Sequence, residues 1–143
     1  MNIHRSSRLF AAAAVIAAFV SNGAWAASIT EIKAKLSGDN EVPPVISEAS
    51  GSALFLLHPD GTISGTVRTD NIDGVAAHIH EAAAGSNGPV VVPLTKKSAH
   101  EWGTPEGAKL TPKQVEALEH GDLYVNVHTK AHPNGEIRGQ LSR

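Results

Sequence analysis

Apolar and polar residues alternate with a period of two in several short segments of the chain. In residues 29–38 the apolar positions include Ile32, Ala34 and Leu36, and residues 62–72 alternate in the same way. Side chains point alternately to the two sides of a β-strand, so this pattern predicts strands with one buried face. Six or seven such strands, separated by turns rich in Gly, Pro and Asn, predict an all-β antiparallel fold, a Greek-key β-sandwich or barrel.

One segment, near residues 112–120, has the features of an α-helix. Thr111 suits the N-cap position, Pro112 suits the first helical position, and Gln114 stands where a capping box with Thr111 requires it. A glycine follows the segment and predicts its end. The preceding residues, 95–110, are polar and contain glycine, and we predict that they form a long loop.

Residues 1–26 have the features of a secretory signal peptide. Arg5 and Arg8 precede an apolar stretch at 9–20, and the closing Ala-Trp-Ala is a small-x-small cleavage signal. The apolar stretch is shorter than the ~20 residues that a membrane-spanning helix requires. We therefore predict a periplasmic or secreted protein with one mature domain, residues 27–143, and no membrane attachment after cleavage.

The composition of this domain narrows the classes of function. The absence of cysteine excludes a thiol nucleophile, an iron–sulfur cluster and a copper site that depends on a thiolate. Removal of two arginines with the signal leaves ten Lys and Arg against fourteen Asp and Glu, and this acidic balance does not suit nucleic acid. No Gly-x-Ser-x-Gly motif is present. The seven remaining histidines are the unusual feature.

Two predicted strands place histidines on the face opposite their apolar residues. In VAAHIH, residues 75–80, the apolar set begins with the valine, so His78 and His80 share the other face. In DLYVNVH, residues 122–128, the leucine and both valines form the core set, and His128 belongs to the opposite face with the tyrosine and asparagine. The imidazoles are therefore expected to point outward or toward a loop.

If these two strands are neighbours, His78, His80 and His128 converge, and His132 in the next turn is the candidate fourth ligand. Neutral imidazoles suit copper or zinc, and a histidine set without thiolate slightly favours copper. Binding is expected to fail below about pH 6.5, where ordinary imidazoles become protonated. The alternative is a polar outer face that binds no metal, and His100, in the predicted loop, stays open as a ligand.

Further polar residues are candidates for supporting roles around such a site. Asn126 is placed to hydrogen-bond between the histidine strands, Arg138 to guide anions, and Glu136 to orient a ligand histidine. The alternative for Glu136 and Arg138 is an ion pair on an edge strand. His58, in a hairpin turn, and His120, at the helix end, are predicted to be solvated.

Five blocks of the sequence carry a resemblance to a known family: LSGDNEVPPV, GSALFLLHPDGTISGTV, AAHIHEAAAGSNGPVVVPL, LTPKQVEALEHGDLYVNVHT and HPNGEIRGQL. Together they resemble the CHRD domain over about residues 29–142, in the form of a single-domain exported bacterial member. The resemblance implies an all-β domain of the immunoglobulin-like or Greek-key type. In chordin such domains belong to an antagonist of secreted growth factors, so a protein-binding role is also implied.

A more distant likeness is to the copper/zinc superoxide dismutases. On that likeness His78 and His80 match the copper-binding His-x-His pair, His128 a later copper histidine, and Arg138 an anion-guiding arginine. The chain departs from those enzymes because it lacks the disulfide cysteines and a His and Asp cluster for zinc between His80 and His128. The likeness supports a related copper site and puts dismutase activity in doubt.

The predicted function is metal binding, with copper favoured over zinc, in copper handling or tolerance. Two alternatives stay open: a copper-dependent, superoxide dismutase-like oxidoreductase, and a protein-interaction module that binds no metal. The sequence assigns no catalytic residue, and binding is favoured over catalysis. It names no protein partner.

Overall fold

The computed structural model describes residues 28–143, and the predicted signal peptide lies outside them. Nine short strands make up nearly half of the described chain. Their bounds are Thr30–Ser37 (β1), Ser50–Leu57 (β2), Ile63–Asp70 (β3), Ala76–Glu81 (β4), Val90–Pro93 (β5), Thr95–Ser98 (β6), Glu101–Gly103 (β7), Leu123–His128 (β8) and Ile137–Gln140 (β9). A short 3₁₀ helix at Gly38–Asn40 follows β1, and an α-helix, α1, spans Pro112–Glu119.

The strands form one antiparallel sheet in the order β5-β4-β8-β9-β1-β2-β3-β7-β6. The two end strands, β5 and β6, are consecutive in the chain and are separated only by Leu94. The Leu94 amide donates to the Ala77 carbonyl of β4 at 2.9 Å, and Lys96 Nζ of β6 donates to the Gly74 carbonyl at 2.6 Å. The sheet is therefore a nearly closed barrel, and the predicted all-β antiparallel fold is confirmed.

The inward side chains of the barrel form its apolar core. Alternate residues of each long strand are buried, as the period of two predicted, and several are fully inaccessible: Ile32, Phe55, Val67, Ile79 and Val125. Val75 is an exception, because it was predicted to join this set and is 48 % exposed. It precedes the first residue of β4, Ala76, so the alternation does not extend to it.

The helix forms as its capping residues predicted. Thr111 Oγ1 accepts a hydrogen bond from the Gln114 amide, and the Gln114 side chain accepts one from the Thr111 amide. Pro112 stands at the start of the helix, where its missing N–H costs nothing. Among residues 28–143, no helix is both long and apolar enough to cross a membrane.

The prediction of a loop over 95–110 was wrong, because this segment contains β6 and β7. All four residues of β6 are exposed, so the strand has no apolar alternation to reveal it. β7 is only three residues long, with Trp102 buried in the core. These edge elements account for nine strands where six or seven were predicted.

The two histidine strands, β4 and β8, are direct neighbours. Their antiparallel register pairs His78 with Asn126, His80 with Tyr124, and Ala76 with His128. β9 lies on the other side of β8 and pairs Arg138 with Asn126. The outer faces of β4, β8 and β9 therefore bring the predicted polar residues together.

Candidate metal site

Three imidazoles form a compact group on the outer face of β4 and β8. His78, His80 and His128 each offer a nitrogen, and these nitrogens lie within 4.8 Å of one another. Alternation along β4 places His78 and His80 on one side, and the β8 register brings His128 beside them. The convergence predicted from the sequence is thus a property of the folded chain.

Hydrogen bonds fix the orientation of two of the rings. His80 Nδ1 lies 2.9 Å from the Gly88 carbonyl oxygen, and His128 Nδ1 lies 3.0 Å from that of Pro133. A carbonyl can only accept, so Nδ1 carries the proton in both rings and Nε2 of each is an acceptor; that of His128 accepts from His78 Nδ1. Histidines that bind metals commonly have this arrangement, in which the remote nitrogen donates to a fixed acceptor.

The distances fit a shared ion. His78 Nδ1 lies 3.0 Å from His128 Nε2. Two nitrogens bound to one copper or zinc ion at about 2.0 Å are separated by about 3 Å. His80 Nε2 is buried and has no hydrogen-bond partner among the described residues. An ion held by the three nitrogens would satisfy that atom, so the residues fit copper or zinc.

The pKa values of all three imidazoles are lowered, which keeps them neutral and able to bind metal. Burial lowers the pKa of His78 to about 4, and the nearby His128 and His80 add to the shift. Burial is also the main cause of the lowered pKa of His80 and of His128, and hydrogen bonds to Gly88 and Pro133 oppose it. Protonation of these imidazoles, which occurs near pH 6.5 for ordinary histidines, therefore moves to a more acidic range.

A loop covers the outer face of β8 and β9. This covering loop, residues 82–89, accepts hydrogen bonds from Gln140 Nε2 at the Ala82 carbonyl and from Arg138 at Asn87 Oδ1. The Gly88 amide donates to the Tyr124 hydroxyl at 3.2 Å. Tyr124 is only 2 % exposed. The expectation that this face points outward is therefore correct in direction, but its centre is covered.

Arg138 lies beneath this loop and is not at a sheet edge. It is 1 % exposed, and its guanidinium carbon lies 3.4 Å from the centre of the Tyr124 ring. His80 lies on the other side of Tyr124. The two rings are parallel within 5°, and their centroids are 4.9 Å apart. Because β9 is paired with both β8 and β1, the edge-strand ion pair with Glu136 was wrong.

The structure gives Glu136 a different role from the one predicted. Its carboxylate accepts hydrogen bonds from the hydroxyls of Ser47 and Thr129, both at 2.7 Å. It has no hydrogen bond to a ligand histidine, and it ties β9 to the residue that follows His128. Glu136 therefore supports the strand end and does not orient an imidazole directly.

Two other predicted histidines lie outside the group. His132 belongs to the turn after β8, where its carbonyl accepts from Gly135, and it lines a groove with Glu41 and Pro133. His100 is exposed between β6 and β7, and its carbonyl accepts from Thr69. The structure brings neither imidazole to the three-histidine group.

Asn126 stands at the centre of the polar face, and a residue that the sequence did not suggest lies beside it. Asn126 is 3 % exposed, with Oδ1 unpaired among the described atoms. Glu41, from the segment after the 3₁₀ helix, is 5 % exposed, and burial raises its pKa to about 7 against the attraction of Arg138. A Cβ on Gly135 would strike both side chains, so the turn after β8 packs directly on them.

Glu41 and Gly88 were missed because their roles depend on loops. Glu41 occurs in a Pro-containing segment that reads as an exposed loop, and Gly88 supplies only backbone atoms to the site. The residues Asn-Gly-Pro after a small-residue run could have suggested a turn, but not its contact with His80. Tyr124 was placed on the correct face by alternation, and its position between His80 and Arg138 came only from the register.

A nearly closed antiparallel β-barrel with three oriented imidazoles on one outer face defines an all-β domain with a candidate transition-metal site. The CHRD domain family matches residues 32–141, so the chain belongs to the CHRD family. The membership in the CHRD family that the five sequence blocks indicated is thereby confirmed. No curated protein and no solved structure matches the chain significantly.

Proposed function

We propose that this CHRD domain is an exported metal-binding protein that holds one copper ion through His78, His80 and His128. Its role would be copper handling or tolerance, and zinc is the alternative ion. The observation that carries the proposal is that hydrogen bonds already fix which ring nitrogen is protonated in His80 and His128. Backbone carbonyls occupy Nδ1 of His80 and His128, and Nε2 of each is left as a ligand.

The charge and burial of the group support the same function. The lowered pKa values keep all three imidazoles neutral at pH 7, so a metal ion does not compete with an imidazolium proton at this pH. The imidazoles are held by paired strands, so little side-chain freedom remains to be lost on binding. A bound ion would also give a partner to His80 Nε2, which is buried and makes no hydrogen bond within 3.5 Å among the described residues.

The test is a titration of metal-free protein with Cu(I), Cu(II) and Zn(II), beside a His78→Ala/His80→Ala variant. A His100→Ala/His120→Ala variant is the matched control, because it removes two exposed imidazoles away from the group. We expect one tight equivalent of copper, retained by the control and lost by the first variant. Absence of saturable binding in the parent, or equal binding by both variants, would leave a protein-interaction module without metal.

A second candidate function is a copper-dependent, dismutase-like oxidoreductase. Three protein ligands leave a position at which a small molecule can bind the ion, as catalytic metal sites require. Copper-loaded protein would then accelerate superoxide decay and cycle between oxidation states. A loaded protein that leaves superoxide decay at the rate of the metal-free protein would restrict the function to binding.

Export to the periplasm or the outside of the cell is part of the proposal. It rests on the two arginines, the apolar stretch and the Ala-Trp-Ala signal before Ala27. The mature N-terminus and the location of the protein should be measured by fractionation and N-terminal sequencing. A cytoplasmic protein that begins at Met1 would contradict export without affecting the metal site.

A further inference from the structure

The charges around the three imidazoles carry an inference about which ion the site accepts. All three nitrogens come from neutral groups, and no carboxylate belongs to the ligand group. The bound ion therefore keeps its full positive charge. A divalent ion in such a site loses more hydration energy than a monovalent ion and receives no anionic ligand in return.

A buried positive charge lies close to the group. Arg138 is 1 % exposed and its guanidinium remains protonated at all accessible pH values. Its hydrogen-bond acceptors are Asn87 Oδ1, the Ala83 carbonyl and Gln140 Oε1, all of them neutral oxygens. None of the ion pairs found in residues 28–143 includes Arg138. Its charge is thus not cancelled by a direct carboxylate contact.

The stacked rings fix the separation between this charge and the site. The guanidinium contacts one side of Tyr124, and His80 is stacked with Tyr124. The guanidinium carbon is therefore within about 8 Å of the His80 ring centre, in a region covered by the 82–89 loop. At an effective dielectric constant near 20, one additional positive charge ~8–10 Å from the guanidinium is disfavoured roughly ten- to thirtyfold.

One buried acid close to Arg138 offsets this charge only in part. Glu41 attracts the guanidinium, but burial raises its pKa to about 7, so its carboxyl group is partly protonated at neutral pH. The guanidinium therefore keeps a net repulsion toward a second positive charge on an ion bound beside the His80 ring.

We propose that Arg138 makes the His78–His80–His128 site selective for Cu(I) over the divalent ions Cu(II) and Zn(II). The inference rests on the proposed metal-binding function and adds the oxidation state of the ion. In this role Arg138 is a positioning residue that acts through its charge and contacts no metal. The same effect would raise the reduction potential of bound copper, because reduction removes one unit of repelled charge.

The experiment compares dissociation constants for Cu(I), measured anaerobically against a chelator, with those for Cu(II) and Zn(II). The proteins are the parent, Arg138→Met, Arg138→Lys and the surface control Arg68→Met. We expect the parent to bind Cu(I) more tightly than either divalent ion. Arg138→Met should reduce the ratio of Cu(II) to Cu(I) dissociation constants at least tenfold, which corresponds to about 59 mV in reduction potential.

The lysine variant separates charge from structure. Arg138→Lys loses the stacked guanidinium and part of its hydrogen bonding but keeps a positive charge. Its ratio of Cu(II) to Cu(I) dissociation constants should therefore stay within about threefold of that of the parent. Far-UV circular dichroism establishes that each variant is folded. If Arg138→Met does not fold, Arg138→Gln takes its place as the uncharged variant, with the same expected change in the ratio.

The outcomes distinguish this inference from the proposed function. A parent that binds no metal overturns the proposed function. A parent that binds copper but prefers Cu(II) overturns the selectivity and leaves metal binding intact. Equal weakening of Cu(I) and Cu(II) binding in Arg138→Met would assign Arg138 a purely structural role. The same conclusion would follow if the ratio of Cu(II) to Cu(I) dissociation constants fell as far in Arg138→Lys as in Arg138→Met.

Discussion

The outer surface of the barrel has two regions with the same strand alternation and opposite environments. Over β1, β2 and β3 it carries Lys33, Lys35 and Arg68, and the side chains of Lys33 and Arg68 are 63 % and 75 % exposed. Over β4, β8 and β9 the 82–89 loop covers it, and Asn126 and Arg138 are buried. A period of two identifies the face on which a residue lies, but the loops determine whether water reaches it.

The largest effect is expected from a substitution that displaces the 82–89 loop. A Cβ on Gly88 would strike the Glu81 carbonyl and Ala82, so Gly88→Ala must move the backbone that accepts from His80 and donates to Tyr124. We expect a loss of about 3–4 kcal/mol in unfolding free energy, measured by urea denaturation, and at least tenfold weaker copper binding.

Gly85→Ala is the matched control within the same loop. Gly85 has φ +80° but open space around its Cα, so alanine adds backbone strain and no collision. Its cost should be about 1 kcal/mol, with copper affinity nearly unchanged. Equal costs for the two variants would mean that the loop is not fixed on the histidine face.

The sequence predicted the strands and the histidine convergence because both follow from local periodicity. Ile32 and Val125 could be placed in the core, and His78, His80 and His128 on the opposite face, from alternation alone. The adjacency of β4 and β8 was a condition that no local pattern could decide. It depends on a sheet order in which β8 follows β4 in space after four intervening elements in the chain.

There is a physical reason why the covering loop and its contacts could not be predicted from the sequence. Glu41, Asn87 and Gly88 occur in segments of small and turn-forming residues, which have the composition of exposed loops. Their burial arises from hydrogen bonds between distant parts of the chain, such as Asn87 Nδ2 to the Val42 carbonyl at 2.8 Å. The exposed edge strand β6 was missed for the converse reason, since none of its side chains is buried.

The second prediction concerns stabilisation by copper. At a free metal concentration one hundredfold above Kd, binding stabilises the folded state by about 2.7 kcal/mol, or about 10 °C in Tm for a domain of this size. We expect this rise in the parent and in His100→Ala/His120→Ala, measured by differential scanning calorimetry. His78→Ala/His80→Ala should show no rise, and a rise in that variant would place the copper elsewhere.

The third prediction uses the buried acid of the covered face. The pKa of Glu41 is raised from 4.5 to about 7, so the folded state prefers its protonated form. The stability contributed by this group is complete below pH 4.5 and is lost as the pH rises through 7. Glu41→Gln should therefore be more stable than the parent at pH 8 by about 3 kcal/mol and nearly equal to it at pH 4.5.

The matching acid of the exposed surface is Glu31, which pairs with Lys33 at 2.7 Å and has a side chain that is 59 % exposed. Glu31→Gln should change the unfolding free energy by less than about 0.5 kcal/mol at both pH values. Urea denaturation at pH 4.5 and pH 8 measures both variants. A Glu41→Gln variant that gains no stability between these pH values would contradict the burial of the carboxyl group.

The fourth prediction concerns the acid range of metal binding. Burial lowers the pKa of His78 to about 4 and also lowers those of His80 and His128, so protons compete weakly with metal above pH 5. Between pH 7 and 5.5 the copper affinity should fall by much less than the several hundredfold that three imidazoles of ordinary pKa would lose. Copper titrations at both pH values decide between these results, and a loss of several hundredfold would mean that the imidazoles are solvated.

The smallest effect is expected from the arginine of the exposed region. Arg68 Nε lies 3.2 Å from Glu101 Oε2, yet its side chain is 75 % exposed, so water and salt screen the pair. Arg68→Met should change the unfolding free energy by less than about 0.5 kcal/mol, whereas Arg138→Met removes a buried residue that holds three neutral oxygens and the Tyr124 ring. Measured by the same urea titration, similar costs for the two substitutions would show that the 82–89 loop does not exclude water from Arg138. A large difference would establish that the 82–89 loop keeps the charge of Arg138 buried. Both residues are arginines on outer strand faces, so neither property would explain the difference.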